Sequence, residues 1–383
     1  MRNQRIRIMA GGELEIVDPG FESLGLLEAC NPGFSIQSSP LPGFSKPRLN
    51  SLRVQGSGIS RFRLPRLSIS SLWKNHDRMA KERRIDSTAT ELKSGEASLL
   101  DLKAAIAWRI LRKCRLCPHS CGVNRVLGSR GRCGLSSRAI VAESFVHIAE
   151  EAPINPSHLI SLAGCGLRCR FCQQWKLLDP KGIPGSPLFS DTWNSVDFDR
   201  AHSLSFAGGN PDESLPSILD FLGSAPDNFN LPVVWNNNAY SSPEVLKLLD
   251  GVVDAYLPDF KFGNPTCAAK LSAGSTYPLV ALNAIKMMAA QEVPVIVRIL
   301  ILPGHAKCCH IPSLSALADI GAPNIQVSLR DQYCPDWQFR QGAGQISTRT
   351  SKTEIALVTA HARHLGLTLL EEHIQKNAKE GSR

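Results

Sequence analysis

From residue 159 onward, short apolar runs alternate with longer stretches in which apolar residues recur at helical spacing. A short apolar run bounded by turn residues predicts a strand, and recurrence every three or four residues predicts a helix. The predicted strands are Leu159–Ala163, Ser203–Ala207, Pro232–Trp235, Val253–Leu257, Val293–Ile301 and Asn324–Leu329. The predicted helices are Leu215–Leu222, Pro243–Leu249, Pro278–Gln291, Ile311–Ile320 and Lys352–Leu365. Six strands that alternate with helices favour parallel β/α units, which right-handed crossovers curl into a sheet or a partial barrel.

The chain before residue 159 has a weaker pattern. Residues 1–95 are rich in Ser, Pro and Arg without a sustained apolar face, so we expect a basic extension of low order. Apolar residues at helical spacing predict a helix within Glu96–Cys114, followed by a cysteine-rich module. We therefore divide the chain into an extension (1–95), a helix with the cysteine module (96–150), a β/α core (151–375) and a tail (376–383).

The net charge of +9 is concentrated in one segment of the 383-residue chain. Residues 29–85 hold 11 Lys and Arg against 2 Asp and Glu, whereas residues 86–383 hold 29 against 27. Because the predicted core is almost neutral, the overall charge does not indicate nucleic-acid binding. No apolar run reaches the roughly 18 residues of a membrane span, and the N-terminus lacks the apolar region of a secretory signal.

Cysteine placement indicates metal chemistry. Seven of the 12 cysteines fall within residues 114–172. Disulfides mostly stabilise small exported domains, so tight cysteine spacing in a long chain favours metal or cluster ligation in a reducing cytosol.

Unusual residues follow each predicted strand at its carboxyl end, where α/β proteins build their sites. After the first strand come Cys165, Cys169 and Cys172. The later strands are followed by Gly208–Pro211, Asn236–Tyr240, Pro258–Lys261, Pro303–His305 and Arg330–Tyr333. We therefore expect these segments to lie on one rim.

Three cysteines close together leave a metal site incomplete. Four thiolates would saturate a [4Fe–4S] cluster, whereas three leave one iron open to a small ligand, as a catalytic zinc keeps one position open. The incomplete set predicts a reaction site. A zinc knuckle is the alternative, although the Cys-x₃-Cys-x₂-Cys spacing lacks the paired Cys-x₂-Cys typical of zinc modules.

Cys-x₃-Cys-x₂-Cys after the first strand of a β/α domain resembles the signature of the radical S-adenosylmethionine superfamily. The resemblance covers about residues 100–370 and implies an α/β fold with a partial (β/α)6-type TIM barrel. It implies a [4Fe–4S] cluster on Cys165, Cys169 and Cys172, and S-adenosylmethionine bound at the open iron. Reductive cleavage then gives a radical that abstracts a hydrogen atom, with a flavodoxin or ferredoxin as electron donor.

The same resemblance implies further cofactor contacts. Phe171 corresponds to an aromatic residue that lies against the adenine, and Gly208, Gly209 and Asn210 resemble the Gly-Gly motif that receives the ammonium group. Asn236 and Lys261 are candidates for polar contacts with the cofactor, although a turn and a rim ion pair are the respective alternatives. Arg298 lies in an apolar strand and needs a carboxylate partner, for which the cofactor or the substrate is one candidate.

Several stretches are similar to the branch called pyruvate formate-lyase activating enzyme-like iron–sulfur proteins. They are CRLCPHSCGVNRVLGSRGRCG, VVWNNNAYSSPEVLKLLDGVVDAYLPDFKFGN, VRILILPGH and DQYCP. The chain departs from the branch at Gly166, Gln174, Trp175, Asn210 and Ile299, and none of these changes removes a cluster ligand.

The remaining cysteines give two further expectations. Cys114, Cys117, Cys121 and Cys133 form Cys-x₂-Cys-x₃-Cys-x₁₁-Cys, which predicts a second site holding either zinc or a second iron–sulfur cluster, with unmetallated thiols as the alternative. The other five cysteines are expected to pack as small apolar residues, and they are Cys30, Cys267, Cys308, Cys309 and Cys334. His305 is expected to be a hydrogen-bonded rim histidine without a catalytic role.

The resemblance to activating enzymes favours hydrogen abstraction from a protein or peptide. A small-molecule substrate is the first alternative. A cluster-carrying or zinc-carrying protein without turnover is the alternative from another class. We expect no membrane partner, and nucleic-acid binding, through the basic segment 29–85, belongs only to this last alternative.

Overall fold

The computed structural model describes residues 5–8, 14–17, 39–85, 91–335 and 345–370. The strands are β1 Arg5–Ile8, β2 Leu14–Val17, β3 Gly56–Ser60, β4 Glu96–Ser98, β5 Ile140–His147, β6 Ser157–Leu162, β7 Ser186–Pro187, β8 Ser203–Gly208, β9 Val233–Asn237, β10 Ala255–Pro258, β11 Val295–Leu300 and β12 Ile325–Arg330. The helices are α1 Arg48–Val54, α2 Ile69–Ile85, α3 Leu99–Leu111, α4 Leu215–Gly223, α5 Pro243–Leu249, α6 Pro265–Leu271, α7 Tyr277–Ala289, α8 Ile311–Ala318 and α9 Lys352–His364. No helix within these ranges has both the length and the apolar character needed to cross a membrane.

The central sheet contains eight strands in the order β12-β11-β10-β9-β8-β6-β5-β7. The six strands from β6 to β12 in this order pair in parallel, and each is the spatial neighbour of the strand that precedes it in the β/α series. This is the predicted partial (β/α)6 barrel of the α/β class. The described strands leave the barrel open, because antiparallel β5 and β7 extend the β6 edge without meeting β12.

Local chemistry fixes the helices between these strands. Helix α5 starts where Ser242 accepts a hydrogen bond from Val245 N, and Pro243 occupies the first turn. Gly251, just past the end of the helix, has φ +79°, a conformation that favours glycine. The end signals therefore act as predicted, and α5 spans the predicted residues.

The segment expected to be low in order contains regular structure in residues 39–85. Helices α1 and α2 lie there, and Leu49, Leu52, Leu72 and Met79 are buried in the main core. Arg48 N donates to Asp254 Oδ1 at 2.9 Å, which ties α1 to the start of β10. The sequence did not predict these two helices, because they bury only a few apolar residues and these are separated by basic and polar residues. Most of residues 1–38 and the predicted tail lie outside the described residues, and the predicted domain boundaries stay a prediction.

Candidate functional site: a cysteine loop at the carboxyl edge of the sheet

The loop after β6 carries the three predicted cluster ligands. Cys165 and Cys169 are buried and Cys172 is half-buried. Backbone hydrogen bonds fasten this loop to the end of α6: Arg170 N donates to Leu271 O at 2.8 Å, and Ala273 N donates to Leu167 O at 2.7 Å. The cysteines thus lie on a loop whose shape is fixed by a neighbouring β/α unit.

Burial raises the pKa of all three thiols. The pKa of Cys165 lies well above its usual value, and burial raises the pKa of Cys169 to about 12 and of Cys172 to about 11, against an opposing effect of the Lys261 ammonium. Negative charge on Cys169 and Cys172 raises the pKa of Cys165 further, and negative charge on Cys172 does the same for Cys169. Deprotonated sulfurs in this position need a positive charge such as a metal centre.

This donor set fits a [4Fe–4S] cluster held by three residues. A cubane places its three protein sulfurs on three different irons, farther apart than the ligands of a single ion.

The predicted Gly-Gly motif lies directly against the cysteine loop. Gly209 N donates to Leu162 O, and a Cβ on Gly209 would lie 2.2 Å from Gly164 O. Gly208 has φ +100°, and a Cβ there would lie 2.5 Å from the Leu162 backbone. Only glycine permits so close an approach, so the backbone of this motif lies directly against the residue that precedes Cys165.

Asn210 and Asn238 connect three of the rim segments. Asn210 Oδ1 accepts from Asn238 N at 3.0 Å, and Asn238 Nδ2 donates to Cys165 Sγ at 3.4 Å. The loops after β6, β8 and β9 therefore share one hydrogen-bonded network. The Asn210 amide also donates to Glu213 Oε2, and Glu213 Oε1 accepts from Gly166 N at 2.9 Å.

Sequence reasoning missed Asp212 and Glu213. Asp212 accepts hydrogen bonds from Trp235 Nε1 at 2.7 Å, from Asn237 Nδ2 at 3.0 Å and from the Ser241 hydroxyl. Burial raises the pKa of Asp212, and burial together with the Asp212 charge raises the pKa of Glu213 to about 7. The available signal was two adjacent acids directly after the Gly-Gly turn, at the carboxyl end of a predicted strand.

Lys261 forms an ion pair within the rim. Its Nζ lies 2.6 Å from Asp259 Oδ2, which was one of the two alternatives for this lysine. The Tyr277 hydroxyl accepts from Lys261 N at 2.9 Å and lies 2.6 Å from Asp259 O and 3.0 Å from Asn238 O. Tyr277 thus joins the loops after β9 and β10. A contact between Lys261 and a cofactor stays a prediction.

Phe171 joins the first rim segment to the last. Its ring packs edge-on against Phe262 at 5.7 Å and against Tyr333 at 6.5 Å between centroids. Asn236 is half-buried near the end of β9. Their cofactor contacts stay predictions.

The chain itself supplies the carboxylate partners of Arg298. Its Nε donates to Glu151 Oε1 at 2.7 Å, and its Nη2 contacts both Glu150 and Glu151. These glutamates precede β6, so no pattern in the β11 sequence could have identified them. A contact with a cofactor carboxylate is not needed to neutralise the half-buried guanidinium, and it stays a prediction.

The four-cysteine module packs directly beside the cysteine loop. A Cβ on Gly164 would lie 2.9 Å from Cys133 O, and a Cβ on Gly166 would lie 2.9 Å from His119 Cδ2. Cys117 and Cys133 are buried, and their thiols interact with each other and with Cys114. Cys121 is exposed and accepts from Arg132 N at 3.3 Å. Two cysteine groups thus meet at one edge of the sheet.

The fold and this edge define an α/β protein with a partial (β/α) barrel and a glycine-lined cysteine loop at its carboxyl rim. The chain is 33% identical over 314 residues to the uncharacterized protein MJ0674 of Methanocaldococcus jannaschii, an alignment that covers 79% of this chain and 90% of that protein. The chain belongs to the same protein family as MJ0674. No family model matches the chain.

The chain is also similar to three solved structures. They are anSMEcpe with bound AdoMet (12% identity, TM-score 0.41), Streptococcus suis SuiB bound to S-adenosylmethionine (12%, 0.37) and methylornithine synthase PylB (13%, 0.39). The matches cover 56%, 54% and 80% of this chain and 61%, 47% and 77% of those proteins. This chain thus spans less than two thirds of anSMEcpe and of SuiB. At these identities and scores, the matches assign it no activity.

Proposed function

We propose that this protein is a radical S-adenosylmethionine enzyme whose [4Fe–4S] cluster is held by Cys165, Cys169 and Cys172. The observation that supports the proposal is the junction of two loops at the carboxyl edge. The loop after β6, which carries the buried Cys165 and Cys169 and the half-buried Cys172, lies against the Gly208–Gly209 backbone after β8. When bound, the cluster supplies one electron that cleaves S-adenosylmethionine, which yields a radical that abstracts hydrogen from the substrate.

The surrounding residues would position the cysteine loop, orient its sulfurs and shield the site from water. Gly208 and Gly209 let the loop after β8 lie directly against Leu162 and Gly164, because neither carries a side chain, and this contact would position the cysteine loop. Asn238 donates to Cys165 Sγ and thereby orients that sulfur. Buried Phe171, Phe262 and Tyr333 would exclude water from one side of the site.

We propose that the substrate is a protein or peptide, because the rim segments are similar in sequence to the activating enzyme-like branch. The four-cysteine module would hold zinc or a second cluster beside the first. A small one-electron carrier of the flavodoxin or ferredoxin type would supply the electron.

Anaerobic turnover tests the chemistry. The protein is loaded with iron and sulfide, reduced with dithionite and mixed with S-adenosylmethionine, and 5′-deoxyadenosine is measured. We expect product from the wild type and from Cys334→Ala, a matched loss of a half-buried cysteine outside the trio. We expect none from Cys169→Ala. Equal yields from all three proteins would reject the assignment of the cluster ligands.

The substrate class needs a separate experiment. Cell extract is divided by ultrafiltration, and each fraction is added to the turnover mixture. We expect the macromolecular fraction to raise the yield of 5′-deoxyadenosine, and protease treatment to abolish that rise. Stimulation by the small-molecule filtrate alone would contradict a protein substrate.

A further inference from the structure

A second set of ligand-type side chains lies outside the site described above. One ligand atom from each of Cys267, His305, Cys308 and Cys309 lies within 4.8 Å of the other three. Among the residues that the structure describes, it is the one group of His, Cys, Asp and Glu that meets this distance. We call these four residues the Cys₃His group.

Two segments build the Cys₃His group. Cys267 lies in the first turn of α6, where Asn264 Oδ1 accepts from Thr266 N and Cys267 N. The other three residues lie on the turn between β11 and α8. There His310 N donates to His305 O at 3.1 Å, a five-residue spacing that is wider than an α-helical turn.

Close backbone packing holds these segments together. A Cβ on Gly263 would lie 2.4 Å from Cys309 O and 2.7 Å from Ser313 N, so the absence of a side chain lets the turn approach α6. Glu354 Oε1 accepts from Gly304 N at 2.6 Å, which anchors the residue before His305 to α9. The wide turn is thus supported on two sides, as a preorganised ligand set requires.

The distances agree with one tetrahedral ion. Zinc binds sulfur at about 2.3 Å and imidazole nitrogen at about 2.0–2.1 Å, so tetrahedral angles place two sulfurs about 3.8 Å apart and a sulfur and a nitrogen about 3.5 Å apart. Cys267 Sγ lies 3.7 Å from Cys308 Sγ, and Cys308 Sγ lies 3.4 Å from His305 Nδ1. The sulfurs are too far apart for a disulfide, whose bond is about 2.05 Å.

We propose that Cys267, His305, Cys308 and Cys309 bind one structural zinc ion. Three sulfur ligands and one imidazole are a common closed zinc set, and they leave no position for a substrate. The ion would join α6 to the turn after β11. Leu271 O, at the end of α6, accepts a hydrogen bond from Arg170 N, so the zinc would also support the loop that carries Cys169.

Metal analysis of the full chain tests the proposal. Zinc and iron per chain are measured in the wild type, in a Cys308→Ser/Cys309→Ser double variant and in the matched control Cys334→Ser. We expect the double variant to lose one equivalent of zinc and the control to lose none. Circular dichroism establishes that the variants are folded. Undiminished zinc in a folded double variant would overturn the proposal.

Thiol protection in the wild type gives a second test that needs no variant. Iodoacetamide labelling with and without a zinc chelator is mapped by mass spectrometry. We expect Cys267 and Cys308 to be at least 10-fold slower to label before chelation than after it, while Cys334 labels at one rate. Equal rates for Cys267 and Cys308, or a disulfide between them in protein kept under reductant, would contradict zinc binding.

Discussion

Glu151 is the carboxylate on which three polar groups of β11 and β12 converge. It is 1% exposed, and its Oε1 lies 2.7 Å from Arg298 Nε, 2.7 Å from Arg330 Nη2 and 2.9 Å from Ser328 Oγ. Burial acts to raise the pKa of Glu151, but the charges of the two guanidiniums outweigh it and hold the pKa well below its usual value. Glu151 is therefore anionic at neutral pH.

Glu151→Gln removes this charge while it keeps the size of the side chain and one oxygen acceptor. Loss of one partner from a buried ion pair costs about 3–5 kcal/mol, because the other charge stays buried without compensation. Glu150 still contacts Arg298 in the variant, so Arg330 loses most. We expect the free energy of unfolding to fall by about 3–5 kcal/mol.

Urea unfolding at neutral pH under anaerobic, reducing conditions measures this loss. The matched control is Glu82→Gln, which breaks the exposed Arg78–Glu82 pair of α2 and should cost less than about 1 kcal/mol. A carboxyl group whose pKa is lower in the folded state stabilises the fold above about pH 4, where it is ionised in both states. This stabilisation is lost as the pH falls further. The difference between Glu151→Gln and wild type should therefore shrink on acidification. If the two glutamine variants cost the same at neutral pH, the buried network does not have the proposed role.

Three further predictions concern the cysteine loop, the second cysteine group and the sheet. Gly209→Ala places a Cβ 2.2 Å from Gly164 O, so we expect at least 10-fold weaker S-adenosylmethionine binding, measured by equilibrium dialysis. The control Gly182→Ala has nothing within 4 Å of its Cβ and should bind as the wild type does. Cys121→Ser should release the metal of the proposed four-cysteine site while the proposed cluster on Cys165, Cys169 and Cys172 keeps its iron, and unchanged total metal would contradict a second site. Burial lowers the pKa of His158 to about 4, so the folded state resists its protonation and the wild type should lose stability as the pH falls from about 6.5 to 4. His158→Gln should flatten the dependence of urea unfolding on pH, and an equally steep profile would show that another group causes it.

The parallel core was predictable because each of its strands is buried on both faces. Such strands are short apolar runs between turn residues, and β8 and β9 begin within one residue of their predicted starts. Strand β5 was missed because it lies beside the parallel set, pairs antiparallel and is mostly half-buried, so polar residues interrupt its pattern. Helix α6 was missed because it buries only Ala268 and Leu271, whereas α5, which is equally short, buries four large apolar side chains that give a clear pattern.

The candidate site was predictable where its residues are contiguous. Cys165, Cys169 and Cys172 lie on one loop, so their spacing alone carries the signal. The partners of Arg298 and the members of the Cys₃His group come from segments up to about 150 residues apart, and only the folded sheet brings them together. The expectation that Cys267, Cys308 and Cys309 pack simply as apolar residues took no account of this convergence.

The two cysteine groups were predicted in separate segments, but the fold places these segments in direct contact. Gly164 lies against Cys133 O, Gly166 lies against His119, and Glu213 interacts with thiols of both groups. A displacement of the four-cysteine module would therefore press on the backbone that positions Cys165. Because Gly164 lies against the backbone of Cys133, rotation of a side chain alone cannot absorb that displacement. The metal in one group is thus expected to influence the geometry of the other, although about 30 residues separate them along the chain.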